Sequence, residues 1–131
     1  MFFDTNVLYY AFSQAGARTR TAEQLLLQGG VVSVQVLNEL ASAARLKLKM
    51  SWPEVEQAIE GTVLLCPNPR ALTLDTTLAA LRICARYGFA IYDGLIVASA
   101  LEAGCSELYT EDLQHGQVID GLRVVNPFRT P

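Results

Sequence analysis

The most hydrophobic stretch of the chain runs from Leu95 to Leu101, where every position is apolar or small. A helix that is apolar on all of its faces is typical of a protein interior, where it is packed on every side. Gly104 follows at the place where a C-terminal cap is expected. Asp93 stands at the other end, shortly after the apolar segment 89–91. The pattern therefore predicts a buried central helix with a carboxylate at its N-terminal end.

The remainder of the chain alternates between short apolar runs and amphipathic stretches. Apolar and β-branched runs predict strands over residues 2–3, 31–34, 62–66, 107–110 and 122–125. Helical spacing predicts helices over residues 7–12, 18–28, 36–49, from 51 or 52 onward, and from 74 or 75 to about 87. Such alternation is typical of an α/β domain with a central, mostly parallel β-sheet flanked by α-helices.

Composition narrows the class of protein. With 131 residues, 51% of them hydrophobic, the chain is long and apolar enough for one folded domain. No apolar run reaches the roughly 18 residues of a membrane span, and no secretory signal is visible. Three cysteines without a CxxC spacing argue against a disulfide scaffold and a zinc site, so we expect reduced thiols and a cytoplasmic location. The net charge of −3 is not that of a basic nucleic-acid binder.

Four acidic residues, far apart in sequence, are expected at one edge of the sheet. Asp4 directly follows the first predicted strand, Asp112 follows the strand at 107–110, and Asp93 begins the central helix. Glu39 lies about one turn into the helix that follows the strand at 31–34. Because sites in open α/β sheets form outside the carboxyl ends of the strands, these side chains are expected to meet.

A structural role and a chemical role compete for these acids. Taken singly, Asp4, Asp93 and Asp112 occupy positions suited to helix N-caps. Glu39 shares a helical stripe with apolar residues, where an unpaired charge is costly. Two carboxylates about 4–5 Å apart repel by roughly 3–4 kcal/mol at an effective dielectric constant near 20. Four together would bind protons or a cation, and all-oxygen ligands favour Mg²⁺ or Mn²⁺.

Four ordered segments also resemble a known family. They are Phe3-Asp4-Thr5-Asn6-Val7-Leu8, Asn38-Glu39-Leu40, Tyr92-Asp93-Gly94-Leu95-Ile96-Val97-Ala98-Ser99-Ala100 and Thr110-Glu111-Asp112-Leu113-Gln114-His115-Gly116. Together they resemble the PIN domain, and more closely the VapC-like ribonuclease toxins of bacterial toxin–antitoxin pairs. The resemblance implies a single PIN-like domain over residues 1–131. Its acidic positions map onto Asp4, Glu39, Asp93 and Asp112, and its small polar positions onto Thr5, Asn6 and Thr110. Glu111, next to Asp112, leaves open which acid reaches the metal.

The resemblance implies a metal-dependent endoribonuclease. One or two Mg²⁺ or Mn²⁺ ions would activate a water for in-line attack on an RNA phosphodiester, leaving a 5′-phosphate and a 3′-hydroxyl. Asp4 and Asp93 would make the main metal contacts, and Glu39 would share the metal or orient the water. Asp112 would complete the site directly or through water. The resemblance further implies a homodimer and an antitoxin partner whose helix lies in a groove near residues 22–27 or 36–48.

Substrate contacts are less well defined by the sequence. Arg45, Lys47 and Lys49 form the leading group for RNA phosphates, although a solvated helix face explains them equally simply. Arg18, Arg20, Arg82 and Arg86 are further candidates. Trp52 and Tyr92 either stack on bases or pack against protein. His115, the only histidine, is expected in a surface loop and excludes a two-histidine ribonuclease mechanism.

Two other functions remain as alternatives. One is a PIN-like binding module without catalysis, which the presence of all four acids disfavours. The other is a phospho-receiver domain, which also gathers acids at a sheet edge. A receiver requires a lysine after a late strand, and the last lysine here is Lys49. A phosphatase of the DxD type is excluded because Asn6 stands two residues after Asp4.

Overall fold

A computed structural model of the chain describes residues 1–129, so the last two residues of the predicted domain, 130 and 131, lie outside the described residues. Four strands form one sheet: β1 (Phe2–Phe3), β2 (Glu107–Tyr109), β3 (Val118–Ile119) and β4 (Leu122–Val125). Their spatial order is β1-β2-β4-β3, with β1–β2 and β2–β4 parallel and β3–β4 antiparallel. The prediction of an α/β domain with a mostly parallel sheet is confirmed.

Six helices flank this sheet in the described residues. They are α1 (Thr5–Phe12), α2 (Ala17–Leu27), α3 (Val34–Leu46), α4 (Trp52–Leu65), α5 (Leu74–Tyr87) and α6 (Ile91–Glu102). Helix α4 begins where the sequence predicts, and the structure shows that Ser51 and Glu54 form a capping box there, with Pro53 in the first turn. Gly88 ends α5 in the left-handed conformation at φ 78°.

Two predicted strands are wrong. Residues 31–34 form only isolated parallel bridges, Phe2 to Val31 and Ser33 to Arg70, because Ser33 caps α3 and the helix begins immediately at Val34. Residues 62–66 are the end of α4 and its cap, since Thr62 continues the helix and its hydroxyl donates to the Ala58 carbonyl at 2.8 Å. The β-branched residues of these two segments therefore lie in a helix, in a cap or in an isolated bridge, and not in a strand.

The C-terminal hairpin is a feature that the sequence analysis missed. Strand β3 pairs antiparallel with β4 through a turn at Asp120 and Gly121, both with positive φ. Its two residues are too few for a periodic pattern. Strand β4 itself has the predicted bounds, and β2 ends one residue earlier than predicted.

Helix α6 is the buried centre of the domain. Its seven residues from Gly94 to Ala100 are all buried. A Cβ at Gly94 would collide with the Cys84 sulfur and lie 3.0 Å from the Ala80 carbonyl oxygen, so glycine permits the close packing of α6 on α5. Within residues 1–129 no single helix is long and apolar enough to cross a membrane, and α5 with α6 meets the length and composition criteria only as a pair bent by 115°.

An acidic candidate active site

Asp4 is positioned by the junction between β1 and α1. It is the N-cap of α1, and its Oδ1 accepts a hydrogen bond from the Thr5 backbone N–H at 2.7 Å. Its Oδ2 accepts from the Thr110 hydroxyl at 2.8 Å. The residue is only 6% exposed. Burial raises the pKa of Asp4 from 3.8 to about 6, the two hydrogen bonds oppose this, and the charges of Asp112 and Glu39 add to it. Capping and a place in the acidic cluster therefore coexist at this residue.

Glu39 reaches the same region from α3. One carboxylate oxygen accepts from the Thr5 hydroxyl at 2.8 Å, so Thr5 contacts both Asp4 and Glu39. The other oxygen accepts from the Gln35 side-chain amide at 3.0 Å, one helical turn earlier. The Glu39 carboxylate is thereby held on the side of α3 that faces the start of α1.

Asp93 comes from the first turn of α6, but it does not cap this helix. The N-cap is Ala90, and Asp93 is the third helical residue. The capping interpretation of Asp93 is therefore wrong. Burial raises the pKa of the Asp93 carboxyl, and the charges of Asp112 and Glu39 raise it further. The Asp93 carboxyl therefore lies within the electrostatic influence of Glu39 on α3 and of Asp112 in the loop after β2.

Asp112 lies in the loop after β2 and is tied to α1 through Asn6. The Asn6 amide donates to the Asp112 Oδ2 at 3.2 Å and to the Thr110 hydroxyl oxygen at 3.1 Å. The Asp112 backbone N–H donates to the same Thr110 oxygen at 3.0 Å. Asp112 is not a helix N-cap, because no helix follows it in residues 113–129. Glu111 lines the same cleft as Asp112 and accepts from the Tyr10 hydroxyl at 2.7 Å, whereas the charges that raise the pKa values of Asp4 and Asp93 include that of Asp112 and not that of Glu111. The geometry favours Asp112 over Glu111 as the fourth acid.

No basic side chain of the described residues forms an ion pair with these acids. The one ion pair between side chains of residues 1–129 joins Arg86 to Asp120 at 3.4 Å, and both are exposed. A buried carboxylate without a basic partner either binds a proton or requires a cation. The raised pKa of Asp4 expresses that requirement.

The donor chemistry of the cluster fits a hard divalent ion, since every candidate ligand is a carboxylate oxygen. Across the described part of the chain, however, no group of three or more acidic, histidine or cysteine side chains converges at metal-binding spacing. Mg²⁺ keeps several of its waters and is commonly held by one or two carboxylates together with substrate phosphates. The observed spacing is therefore compatible with Mg²⁺ and does not form a closed metal cage.

A cleft of about 290 Å³ adjoins the cluster, and its lining includes Thr5, Asn6, Glu111 and Asp112 together with Tyr9, Tyr10 and Lys47. A larger cavity of about 340 Å³ lies at the far end of α6, around the Arg86–Asp120 pair.

The three basic candidates for RNA contact have different surroundings in the structure. Lys47 lines the cleft, whereas Arg45 packs its guanidinium over the Trp52 ring at 4.9 Å and donates to the Met50 carbonyl. Lys49 does not border the cleft. Tyr92 is 65% exposed, and His115 lies in an exposed loop where it accepts from the Asn126 backbone N–H.

Sequence reasoning missed two residues beside the acids. Gln35 is buried, and its amide donates to Glu39 and, at 3.4 Å, to the backbone carbonyl of Tyr92, while its own Oε1 has no partner. Its spacing of four residues from Glu39 on an apolar helix face was the available signal. Tyr10 carries the hydroxyl that holds Glu111 and accepts from Arg18 at 3.1 Å.

The structure thus brings carboxylates from separate segments of an α/β domain toward one edge of its sheet. The PIN domain model matches residues 1–119, and the chain therefore belongs to the PIN domain family. Comparison with curated proteins found no match.

Solved structures with the same fold include three bacterial examples. A toxin–antitoxin complex from Klebsiella pneumoniae aligns with a TM-score of 0.74 and 23% identity, covering 98% of each chain. The VapC20 toxin of Mycobacterium tuberculosis, which cleaves the sarcin–ricin loop, aligns with a TM-score of 0.63 and 18% identity over 85% of this chain and 88% of its own. VapBC2 from Rickettsia felis, bound to a promoter DNA fragment, aligns with a TM-score of 0.66 and 17% identity over 94% and 95%. At these identities the likeness concerns the fold.

Proposed function

We propose that the protein is a Mg²⁺- or Mn²⁺-dependent endoribonuclease and the toxin of a toxin–antitoxin pair. The observation that carries the proposal is the hydrogen-bond network around Asp4, which links it to Glu39 through Thr5 and to Asp112 through Thr110 and Asn6. The charges of Glu39 and Asp112 also raise the pKa of Asp93, and no basic side chain of the described residues pairs with these acids. Membership of the PIN domain family supports the nuclease class. The toxin assignment draws on the structural neighbours described above.

Each residue has a separate task in this proposal. Asp4 and Asp93 hold the ion, and Glu39 contributes to the ion or accepts a proton from the attacking water. Asp112 completes the site on the side of the loop after β2. Thr5 and Thr110 keep the Asp4 oxygens in place by hydrogen bonds of 2.7 and 2.8 Å. A divalent ion bound there would lower the pKa of a coordinated water and stabilise the charge that develops on the phosphate.

The antitoxin partner is part of the same proposal. An apolar groove of about 290 Å³, formed in part by Phe12, Leu26 and Leu65, lies beside the exposed side chain of Leu27. It overlaps the groove expected at residues 22–27, and an amphipathic helix is the usual occupant of such a groove. Exposed leucines spaced along α5, at Leu74, Leu78 and Leu81, favour the homodimer. We also propose that the protein acts in the cytoplasm.

A cleavage assay tests the enzymatic proposal. Purified protein is incubated with structured RNA in Mg²⁺, in Mn²⁺ and with EDTA, and the ends of the products are analysed. We expect metal-dependent cleavage and a loss of about a hundredfold or more in Asp93→Asn, since a catalytic metal contributes several kcal/mol. Asp112→Asn should reduce the rate far more than its matched neighbour Glu111→Gln.

Two outcomes would contradict the proposal. One is cleavage by the wild type that EDTA does not affect. The other is full activity in Asp93→Asn. A folded wild type that binds RNA without cutting it under any metal condition would favour the catalytically silent binding module instead.

A further inference from the structure

The cleft beside the acidic cluster combines two features that suit a nucleotide. Its lining includes Asn6 and Asp112, which are joined by a hydrogen bond of 3.2 Å and belong to the cluster. Tyr9 and Lys47 line the same cleft. A group seated in the cleft would therefore touch the candidate catalytic edge and an aromatic–cation pair at once.

Lys47 differs from the other basic residues at the end of α3. Its Nζ lies 5.6 Å from the centroid of the Tyr9 ring, within the range of a cation–π interaction. Arg45, two residues earlier, is engaged by Trp52 and the Met50 carbonyl. Lys49 has a left-handed backbone at φ 57° and does not border the cleft. Lys47 is thus the member of this group that is placed beside the acids.

Tyr9 presents an aromatic face that is half-buried, and its ring contacts the Tyr10 ring edge-to-face at a centroid distance of 5.8 Å. The Tyr10 hydroxyl is fixed in turn by Glu111 at 2.7 Å. Tyr9 is therefore a supported platform, with the Lys47 ammonium over its ring. Base–aromatic stacking is tolerant of sequence, because every base has a π-face.

We propose that Tyr9 and Lys47 form a subsite for the nucleotide adjoining the scissile phosphate, with the base stacked on Tyr9 and the backbone phosphate paired with Lys47. The inference rests on the proposed ribonuclease function and assigns the substrate path of that same site. The volume of about 290 Å³ is at the lower limit of small-molecule sites, roughly 300 Å³, which suits one nucleotide. On entry the base replaces the Lys47 ammonium on the ring, and the ammonium turns to the phosphate. This contact offsets the repulsion between the phosphate and the neighbouring acids.

Binding measurements isolate the subsite from catalysis. Two fluorescent single-stranded oligonucleotides of equal length are titrated by anisotropy, one of normal RNA and one with abasic riboses. EDTA is present throughout, so that no metal-dependent cleavage occurs. Lys47→Met, which keeps the stem and removes the charge, should weaken both probes several-fold and reduce the salt dependence by about 0.7 in log–log slope. The matched control Lys49→Met should leave both unchanged.

Tyr9→Leu should weaken normal RNA about tenfold, the size of one lost base stack, and should not affect the abasic probe. Tyr9→Phe keeps the ring and should bind both probes like the wild type, which separates stacking from any packing defect of the leucine variant. In the cleavage assay Lys47→Met should raise KM, whereas the control Lys49→Met should leave kcat and KM at the wild-type values.

Equal behaviour of Lys47→Met and Lys49→Met overturns the inference, as does an equal loss of both probes in Tyr9→Leu. These results are independent of the proposed function, because they are obtained without cleavage. Absence of cleavage by a wild type that shows the expected binding pattern would refute the enzymatic proposal and leave the nucleotide subsite standing.

Discussion

Replacing Asp4 by asparagine should make the metal-free protein more stable while it removes activity. Asp4 has a pKa of about 6 in the folded chain against 3.8 as the ordinary value, chiefly because it is buried. A folded pKa above the unfolded one means that the folded state binds the proton more tightly. The stability contributed by that proton is fully present below pH 3.8, is lost as the pH rises to about 6, and stays lost above it.

The size of the effect follows from the two values. A difference between 3.8 and about 6 corresponds to ~3 kcal/mol at neutral pH. Asparagine keeps the size of Asp4 and an oxygen for the Thr5 backbone N–H, but its amide nitrogen cannot accept the charge-assisted bond from Thr110, which is worth about 1.5–3 kcal/mol. We therefore expect Asp4→Asn to gain up to about 1.5 kcal/mol over the wild type at pH 7.5 and to show no gain at pH 4.

Urea unfolding in EDTA at pH 4, 5, 6 and 7.5 measures this difference directly. Glu56→Gln, which removes an exposed carboxylate on α4, is the control and should follow the wild type at every pH. Adding Mg²⁺ at pH 7.5 should stabilise the wild type and not Asp4→Asn, because only the wild type retains this anionic ligand. Parallel stability curves for wild type and Asp4→Asn between pH 4 and 7.5 would refute the reasoning.

Two further substitutions probe the supports of the site. Gly94→Ala should lower the free energy of unfolding by about 1–3 kcal/mol in a urea titration, because the new methyl group meets Cys84 and the Ala80 carbonyl. Its matched control, Gly61→Ala in α4, meets no atom within 4 Å and should be neutral or stabilising by up to ~1 kcal/mol, and a similar loss in both would contradict the packing argument. Gln35→Leu should raise the Mg²⁺ concentration for half-maximal cleavage about tenfold with the RNA KM unchanged, since it removes the amide that holds Glu39, and an unaltered metal dependence would show that Gln35 only fills space.

The sequence predicts an element correctly where a long segment keeps one hydrophobic pattern or where capping residues mark the end of a helix. The buried helix α6, the capping box at Ser51 and the end of α5 at Gly88 are each encoded by a few local residues. The meeting of the acids is also predictable, because a parallel sheet places its strand ends together.

The failures share a physical cause. Residues 31–34 and 62–66 are short β-branched runs, and such runs do not distinguish a strand from part of a buried helix. At Ser33 the N-cap starts α3 immediately after two isolated bridges, at Val31 and at Ser33 itself. At Thr62 the helix satisfies the hydroxyl internally through Ala58.

Sequence spacing also does not determine the direction in which a side chain points. The basic residues at 45, 47 and 49 look equivalent along the chain, yet only Lys47 lines the cleft. The choice depends on Trp52, which comes from the next helix and draws Arg45 to its ring. The same holds for the neighbouring acids Glu111 and Asp112. The Glu111 carboxylate accepts from Tyr10, whereas the Asp112 carboxylate accepts from Asn6.

The bond between Thr110 and Asp4 spans 106 residues, and so does the bond between Asn6 and Asp112. During translation Asp4 emerges long before residues 107–110, so the strand and the threonine that enclose it are not yet present. Strand β2 can align with β1, and the Thr110 hydroxyl can reach Asp4, only after residue 110 has been made. The proposed active site is therefore assembled late in synthesis, and shorter nascent chains lack it.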